Sequence, residues 1–375
     1  MKTILKNLKI VQNDRVINKG YLIFENGLIS TIGEGDYGGN AIDCKDLIAM
    51  PGFIDIHVHG SAGIDFMDAN EVDYKTVAQS LYKEGVTTFL ATTLTSDNSS
   101  LKRVCEVVKK AKKESPSLGG IHLEGPYISE KYKGAQNEKY IRNPDVFEFN
   151  DLQKLSGNNI KYITLAPEKD GAMDFIKSVS ETGVTISVGH SDASFEDVKI
   201  AIDNGLSNVT HTHNAMSPHH HRKPGVVTAA FAFNELFTEF ICDKIHVCPE
   251  VLATSYKIIG SDRFIIVTDA LKAKNSDINE FNLFGLDCIK KDGAAYLTTG
   301  SLAGSLLTMD KAVKNMQEII GLNLCDLAKI SSKNAAKSLK FLDRGEIKEG
   351  KLADIVLLDK DLNLKATYKL GEKVF

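Results

Sequence analysis

His57 and His59 stand two residues apart at the end of the apolar run Phe53-Ile-Asp-Ile-His-Val-His-Gly60. A strand sends successive side chains to opposite faces, so both imidazoles share one face and Val58 takes the other. Neutral imidazole is the commonest protein ligand for divalent transition metals, and this spacing lets the pair grip one ion. Other apolar runs also end in polar residues: Glu124 in His122-Leu-Glu-Gly-Pro126, His190 in Ser187-Val-Gly-His-Ser-Asp192, His211 and His213 in His211-Thr-His-Asn214, and Asp269 in Val267-Thr-Asp-Ala270. A carboxylate that ends an apolar strand needs a partner before it can be buried, and a metal supplies one. His190 and Asp269 have a plainer reading as helix caps. His213 reads as a packed, hydrogen-bonding residue, and His122 alternates with Glu124 without an evident ligand role.

These residues need elements to bring them together. The first fifty residues are short alternating segments, such as Thr3 to Val11 and Gly20 to Phe24, broken by Asn-Asp and Asn-Gly turn signals. From Pro51 onward the chain alternates short, nearly all-apolar runs with stretches of helical period, the pattern of parallel strands with helical crossovers. Eight such runs are read: Phe53 to Val58, Val86 to Leu94, Gly119 to Glu124, Ile160 to Ala166, Val184 to Gly189, Asn208 to His213, Phe237 to Cys242 and Arg263 to Asp269. Helices are expected at Glu71 to Glu84, Ser99 to Lys113, Ser194 to Asn204 and Met309 to Ile320. The fold class is therefore α/β, a metal-dependent (β/α)₈ TIM-like barrel over 53–340. Residues 1–52 and 341–375, strand-like at both chain ends, are expected to pair into a small β-sandwich domain. Barrel active sites lie at the carboxyl ends of the strands, where every polar residue singled out above falls.

The composition is ordinary for a globular chain: 375 residues, 43% hydrophobic, 25% charged, with a net charge of −4. That balance offers no general attraction for nucleic acid or an anionic membrane, so an anionic substrate must be held locally. The six cysteines are scattered without CxxC spacing, which suits a reducing cytoplasm. A run of about 18 apolar residues, as a membrane-crossing helix needs, is not found.

The placement of His-x-His, Glu, His, His and Asp on successive strands resembles the amidohydrolase superfamily. The motifs His122-Leu-Glu-Gly-Pro-Tyr-Ile-Ser129, Gly189-His-Ser-Asp192, His211-Thr-His-Asn-Ala-Met-Ser-Pro218, Leu302-Ala-Gly-Ser305 and Gly350-Lys-Leu-Ala-Asp-Ile-Val356 resemble, more narrowly, the N-acetylglucosamine-6-phosphate deacetylase family. The resemblance implies Glu124, His190 and His211 as the principal metal site, and His57 and His59 as a further site found in some members. Glu124 would bridge two ions, and Asp269 would touch the metal and act as the general base that later protonates the departing amine. One or two divalent ions per subunit are implied, zinc or iron, since imidazole and carboxylate suit either. Ala135, Gln136, Asn214, Ala215, Arg222, His246, Leu302, Ala303 and Gly304 would contact an amino-sugar phosphate substrate, and a homodimer is expected.

The chain departs from the family pattern in places. Lys133-Gly-Ala-Gln136 puts a glutamine where a histidine is usual; it can donate an N–H but carries no charge. Lys244 replaces a common glycine, and Cys248 stands where histidine is frequent. Alternatives are an N-acetylgalactosamine-6-phosphate deacetylase and a non-catalytic metal protein that binds a sugar phosphate. Leu165-Ala-Pro-Glu168 has no lysine at the end of the fourth strand, against enzymes that bridge two metals with a carbamylated lysine. The triplet His219-His-His221 reads as a solvated turn.

Overall fold

The computed structural model describes residues 2–283 and 285–375. Its centre is a ring of eight parallel strands: Phe53–Val58, Val86–Thr92, Leu118–Glu124, Ile160–Leu165, Thr185–Val188, Asn208–Val209, Phe237–Ile241 and Phe264–Val267. They hydrogen-bond in chain order. The first and eighth meet just beyond their ends, where the Asp269 N–H donates to the His57 carbonyl at 2.8 Å and Val58 bridges Ala270. Every residue of the first three strands is buried, because barrel strands have side-chain packing inside and helices outside. That double burial is why they read as unbroken apolar runs.

The helices fall where the periodicity puts them: Asp73–Tyr82, Asn98–Ala111, Phe195–Asp203 and Met309–Ile320. Asp97 caps the second by accepting from the Ser100 N–H at 2.9 Å. Ser194 opens the third with a capping box closed by Asp197.

At the chain ends, Lys2–Val11, Val16–Glu25, Leu28–Glu34 and Ile48–Pro51 join Ile355–Leu358, Leu364–Lys369 and Glu372–Lys373 in one sheet. The join is antiparallel, Ile355 opposite Pro51 through Leu358 opposite Ile48. Alternation along Ile355–Leu358 decides what each side packs on. Val356 and Leu358 pack into the barrel's core, while Ile355 and Leu357 belong to a second cluster with Leu5, Leu22 and Phe24.

Two features differ from the sequence reading. The sixth strand is only Asn208–Val209, so His211 and His213 lie in the turn beyond it, both with positive φ. A four-stranded antiparallel sheet, Glu280–Leu283, Leu286–Lys291, Ala294–Leu297 and Leu302–Ser305, also follows the eighth barrel strand, where no strands were expected. Its central hairpin turns at Asp292-Gly293, both at positive φ. Such a pair is a two-residue hairpin signal.

Candidate metal centre and active site

The turns after the strands build the site. His190, His211 and Asp269 each sit just beyond a strand at φ of 48°, 28° and 48°, a left-handed region that non-glycine residues rarely adopt. Such strain clusters at functional sites. It turns the three side chains inward across the barrel mouth, where they meet His57, His59 and Glu124. The helix-cap alternatives for His190 and Asp269 do not hold, since Ser194 caps the helix after His190 and Asp269 faces the histidine pair.

Two groups of donor atoms share this space: His57, His59 and Asp269, and Glu124, His190 and His211. In the first, Asp269 Oδ1 lies 3.4 Å from His57 Nε2 and 3.2 Å from His59 Nε2. In the second, Glu124 Oε1 lies 3.2 Å from Nε2 of both His190 and His211, whose nitrogens are 3.1 Å apart. Glu124 also joins the groups, with Oε1 3.3 Å from His57 and Oε2 3.3 Å from His59.

A divalent ion fits this donor set. Ligands about 2.0–2.1 Å from a tetrahedral zinc are separated from one another by roughly 3.3 Å, which is the spacing here. The tautomers agree. His190 Nδ1 faces the Tyr132 carbonyl at 2.8 Å and His57 Nδ1 faces Glu239 at 3.1 Å, so each Nδ1 carries the proton. Each Nε2 is then the nitrogen turned into the cluster, where it can hold an ion or a proton. His57 Nε2 is buried and makes no well-formed hydrogen bond. The carboxylates draw positive charge to that nitrogen, a proton where there is no ion: burial favours neutral histidines, yet Glu124 and Asp269 outweigh it for His57, whose pKa is raised well above the ordinary value. For His59, the same carboxylates overcome burial and lift it to about 9. Burial likewise opposes ionisation of Asp269, but the charge on His57 and the hydrogen bond from His59 hold it below the usual carboxylate range.

Above the cluster opens a cavity of about 310 Å³. Ala135, Gln136, Asn214, Ala215, His246, Leu302, Ala303 and Gly304 all line it, as do His59, Glu124, His190, His211 and Asp269. The unexpected four-stranded sheet supplies one wall. At Gly304 (φ +153°) a Cβ would lie 2.9 Å from Leu271 Cγ and 3.2 Å from the Asp269 carbonyl, so the wall approaches Asp269 only because that residue is glycine. His246 Nδ1 is tied to Asp243 Oδ2 at 2.6 Å, leaving Nε2 for a ligand. Lys244, in the glycine's usual place, has φ of 67°, which explains why glycine suits it.

Arg222 is not brought in. It is exposed in the loop with His219-His-His221, its guanidinium 2.8 Å from His221 Nε2. His213 packs against Phe231 and Phe240 and bonds Ser255 Oγ at 2.9 Å, and burial lowers it to about 4. His122 is spent on the Thr164 hydroxyl at 2.7 Å and the Ile56 carbonyl at 3.1 Å. Sequence reasoning missed Lys131 and Tyr132, which also line the cavity. It also missed Glu239, beneath His57.

The family model described as the Amidohydrolase family matches residues 48–374. An N-acetylglucosamine-6-phosphate deacetylase of Lysinibacillus sphaericus is 38% identical over 376 residues, covering 99% of this chain and 97% of that protein. The chain belongs to the amidohydrolase family, among the N-acetylglucosamine-6-phosphate deacetylases. Solved structures of this amidohydrolase group superimpose over its full length. The Thermotoga maritima deacetylase does so with a TM-score of 0.93 at 35% identity, covering 100% of this chain and 99% of that one. An aspartate-to-alanine mutant of the Mycobacterium smegmatis deacetylase, in complex with N-acetyl-D-glucosamine 6-phosphate, gives 0.95 at 28%, again covering 100% and 99%.

Proposed function

We propose that this amidohydrolase removes the acetyl group from N-acetyl-D-glucosamine 6-phosphate, giving D-glucosamine 6-phosphate and acetate, with two divalent ions at the linked clusters. The observation that carries the reading is Asp269. Of the two carboxylates that meet the histidine pair and line the cavity, Asp269 is the one open to a substrate, its side chain 14% exposed against 2% for Glu124. Bound ions would supply Lewis acidity to the acetyl carbonyl and lower the pKa of water there. Glu124, His57, His59, His190 and His211 would hold them, with Asp269 beside the histidine pair. Asp269, ionised at neutral pH, accepts the water proton at its carboxylate and returns it to the sugar nitrogen, because an amine leaves poorly unless protonated. Leu302, Ala303 and Gly304 bound the sugar and acetyl pocket, with Ala135, Gln136, Asn214, Ala215 and His246 around the rest of the substrate.

Zinc or iron suits this donor set, and a cytoplasmic homodimer completes the proposal. In such a dimer the exposed Arg222, a planar fork of donors matched to phosphate, serves a substrate held by the neighbouring copy.

The test is acetate release from N-acetylglucosamine 6-phosphate, its galactosamine epimer and unphosphorylated N-acetylglucosamine by metal-replete protein. Turnover is expected to be highest with the first. Asp269→Asn is expected to keep its metal and lose about 10²- to 10⁴-fold in kcat. No acetate from any substrate overturns the proposal, and undiminished turnover by Asp269→Asn overturns the proton role.

A further inference from the structure

Glu239 lies on the seventh barrel strand, Phe237–Ile241, and is wholly buried. It does not line the cavity and faces the two metal clusters only from behind. Its Oε2 accepts from His57 Nδ1–H at 3.1 Å and from the His211 backbone N–H at 3.3 Å, while its Oε1 accepts from the Tyr162 hydroxyl at 2.5 Å. Among the described residues its only ion-pair partner is His57. Burying a carboxylate without a lysine or arginine is expensive, so three donors converging on it mark a residue with a task.

The task follows from the imidazole. A histidine has two nitrogens, and the proton held on one decides that the other is a lone pair. With Nδ1–H fixed on Glu239, Nε2 is the one His57 nitrogen left to take an ion, and it is aimed at the space between Glu124 Oε1 and Asp269 Oδ1, at 3.3 and 3.4 Å. The edge of His122, whose ring centre is 4.6 Å from that of His57, packs against it from the side. We infer that Glu239 is a positioning residue that locks the tautomer and aim of His57, and so sets how tightly the ion at His57 and His59 is held. The inference rests on the two-ion reading above. The principal cluster meets Glu239 only through the His211 backbone N–H, not through a ligand nitrogen, and its His190 takes its orientation from the Tyr132 carbonyl.

The experiment loads metal-free protein with Co²⁺ and follows visible absorption per equivalent added, with elemental analysis after dialysis. Two ions and two binding steps are expected for the wild type. In Glu239→Gln, which keeps the shape but not the charge, and in Glu239→Leu, the second step should weaken by about ten- to a hundredfold with the first unchanged. Tyr162→Phe removes a different hydrogen bond to the same carboxylate and should keep both steps, which a purely structural role for Glu239 does not predict. A wild type that takes one ion overturns the two-ion reading and this inference with it. A wild type that takes two, with unaltered second-ion affinity in both Glu239 variants or equal loss of both ions in Glu239→Gln, overturns the inference alone.

Discussion

Gln136 fills the position where the family pattern has a histidine, and its amide is used at both ends. Nε2 donates to Glu124 Oε2 at 2.7 Å, and Oε1 accepts from the Thr95 N–H at 2.7 Å. The carboxylate proposed to hold both ions is thus oriented by a neutral donor that cannot compete with a cation for it. Gln136→Leu leaves a buried carboxylate oxygen and a buried N–H without these partners, a loss of about 1–3 kcal/mol each. Metal affinity, read by competition with a chelator, is expected to fall about tenfold or more in that variant; unchanged affinity would remove Gln136 from the support of the site. The residues legible in the sequence at this scale were those whose type is unusual for their place, such as Glu124 at the end of an apolar run. Glu239, inside Phe237-Thr-Glu-Phe-Ile241, and Asp55, inside Ile54-Asp-Ile56, carry the same signal of a carboxylate in a buried strand. Both are fully buried, and Asp55 is satisfied by the Thr268 hydroxyl at 2.6 Å.

At the scale of elements, the strand that delivers Glu124 is clamped at its other end. Lys112, just beyond the helix Asn98–Ala111, donates to the Gly119 carbonyl at 2.7 Å. Burial, reinforced by the like charges of Lys161 and Arg344, brings its amine down from 10.5 to about 8. The folded chain therefore sheds this proton above about pH 8, while the unfolded chain keeps it until 10.5. Unfolding must take up a proton in that window, so this group's contribution to stability rises with pH across it. The Tm of the wild type minus that of Lys112→Met is accordingly expected to increase between pH 8 and 10.5, and a flat or falling difference would contradict the assignment. The strands themselves were legible because burial on both faces leaves an apolar run. Their ends were not: the positive φ of His190, His211 and Asp269 depends on contacts made across the barrel mouth, which local sequence does not record. The antiparallel sheet Glu280–Ser305 escaped notice because its strands are partly exposed and polar, as in Glu280-Phe-Asn-Leu283. Only Asp292-Gly293 marked it.

The whole molecule is a ring of strands with a sheet from both chain ends packed on it, and among the described residues no helix is long and apolar enough to cross a membrane. Six of its titratable side chains converge at one mouth from the first, third, fifth, sixth and eighth strands or the turns after them. Ions that bind this convergence in the folded chain and not in the unfolded one would stabilise the fold. An ion at a thousand times its Kd stabilises the fold by about 4 kcal/mol. The central claim is that this convergence is a metal-dependent deacetylase centre. Its most direct test is acetate release from N-acetylglucosamine 6-phosphate as a divalent ion is added back to metal-free protein. The expected result is no release at the start, a rise with each addition, and a plateau by two equivalents per chain; release at full rate without metal, or none at any loading, would contradict it.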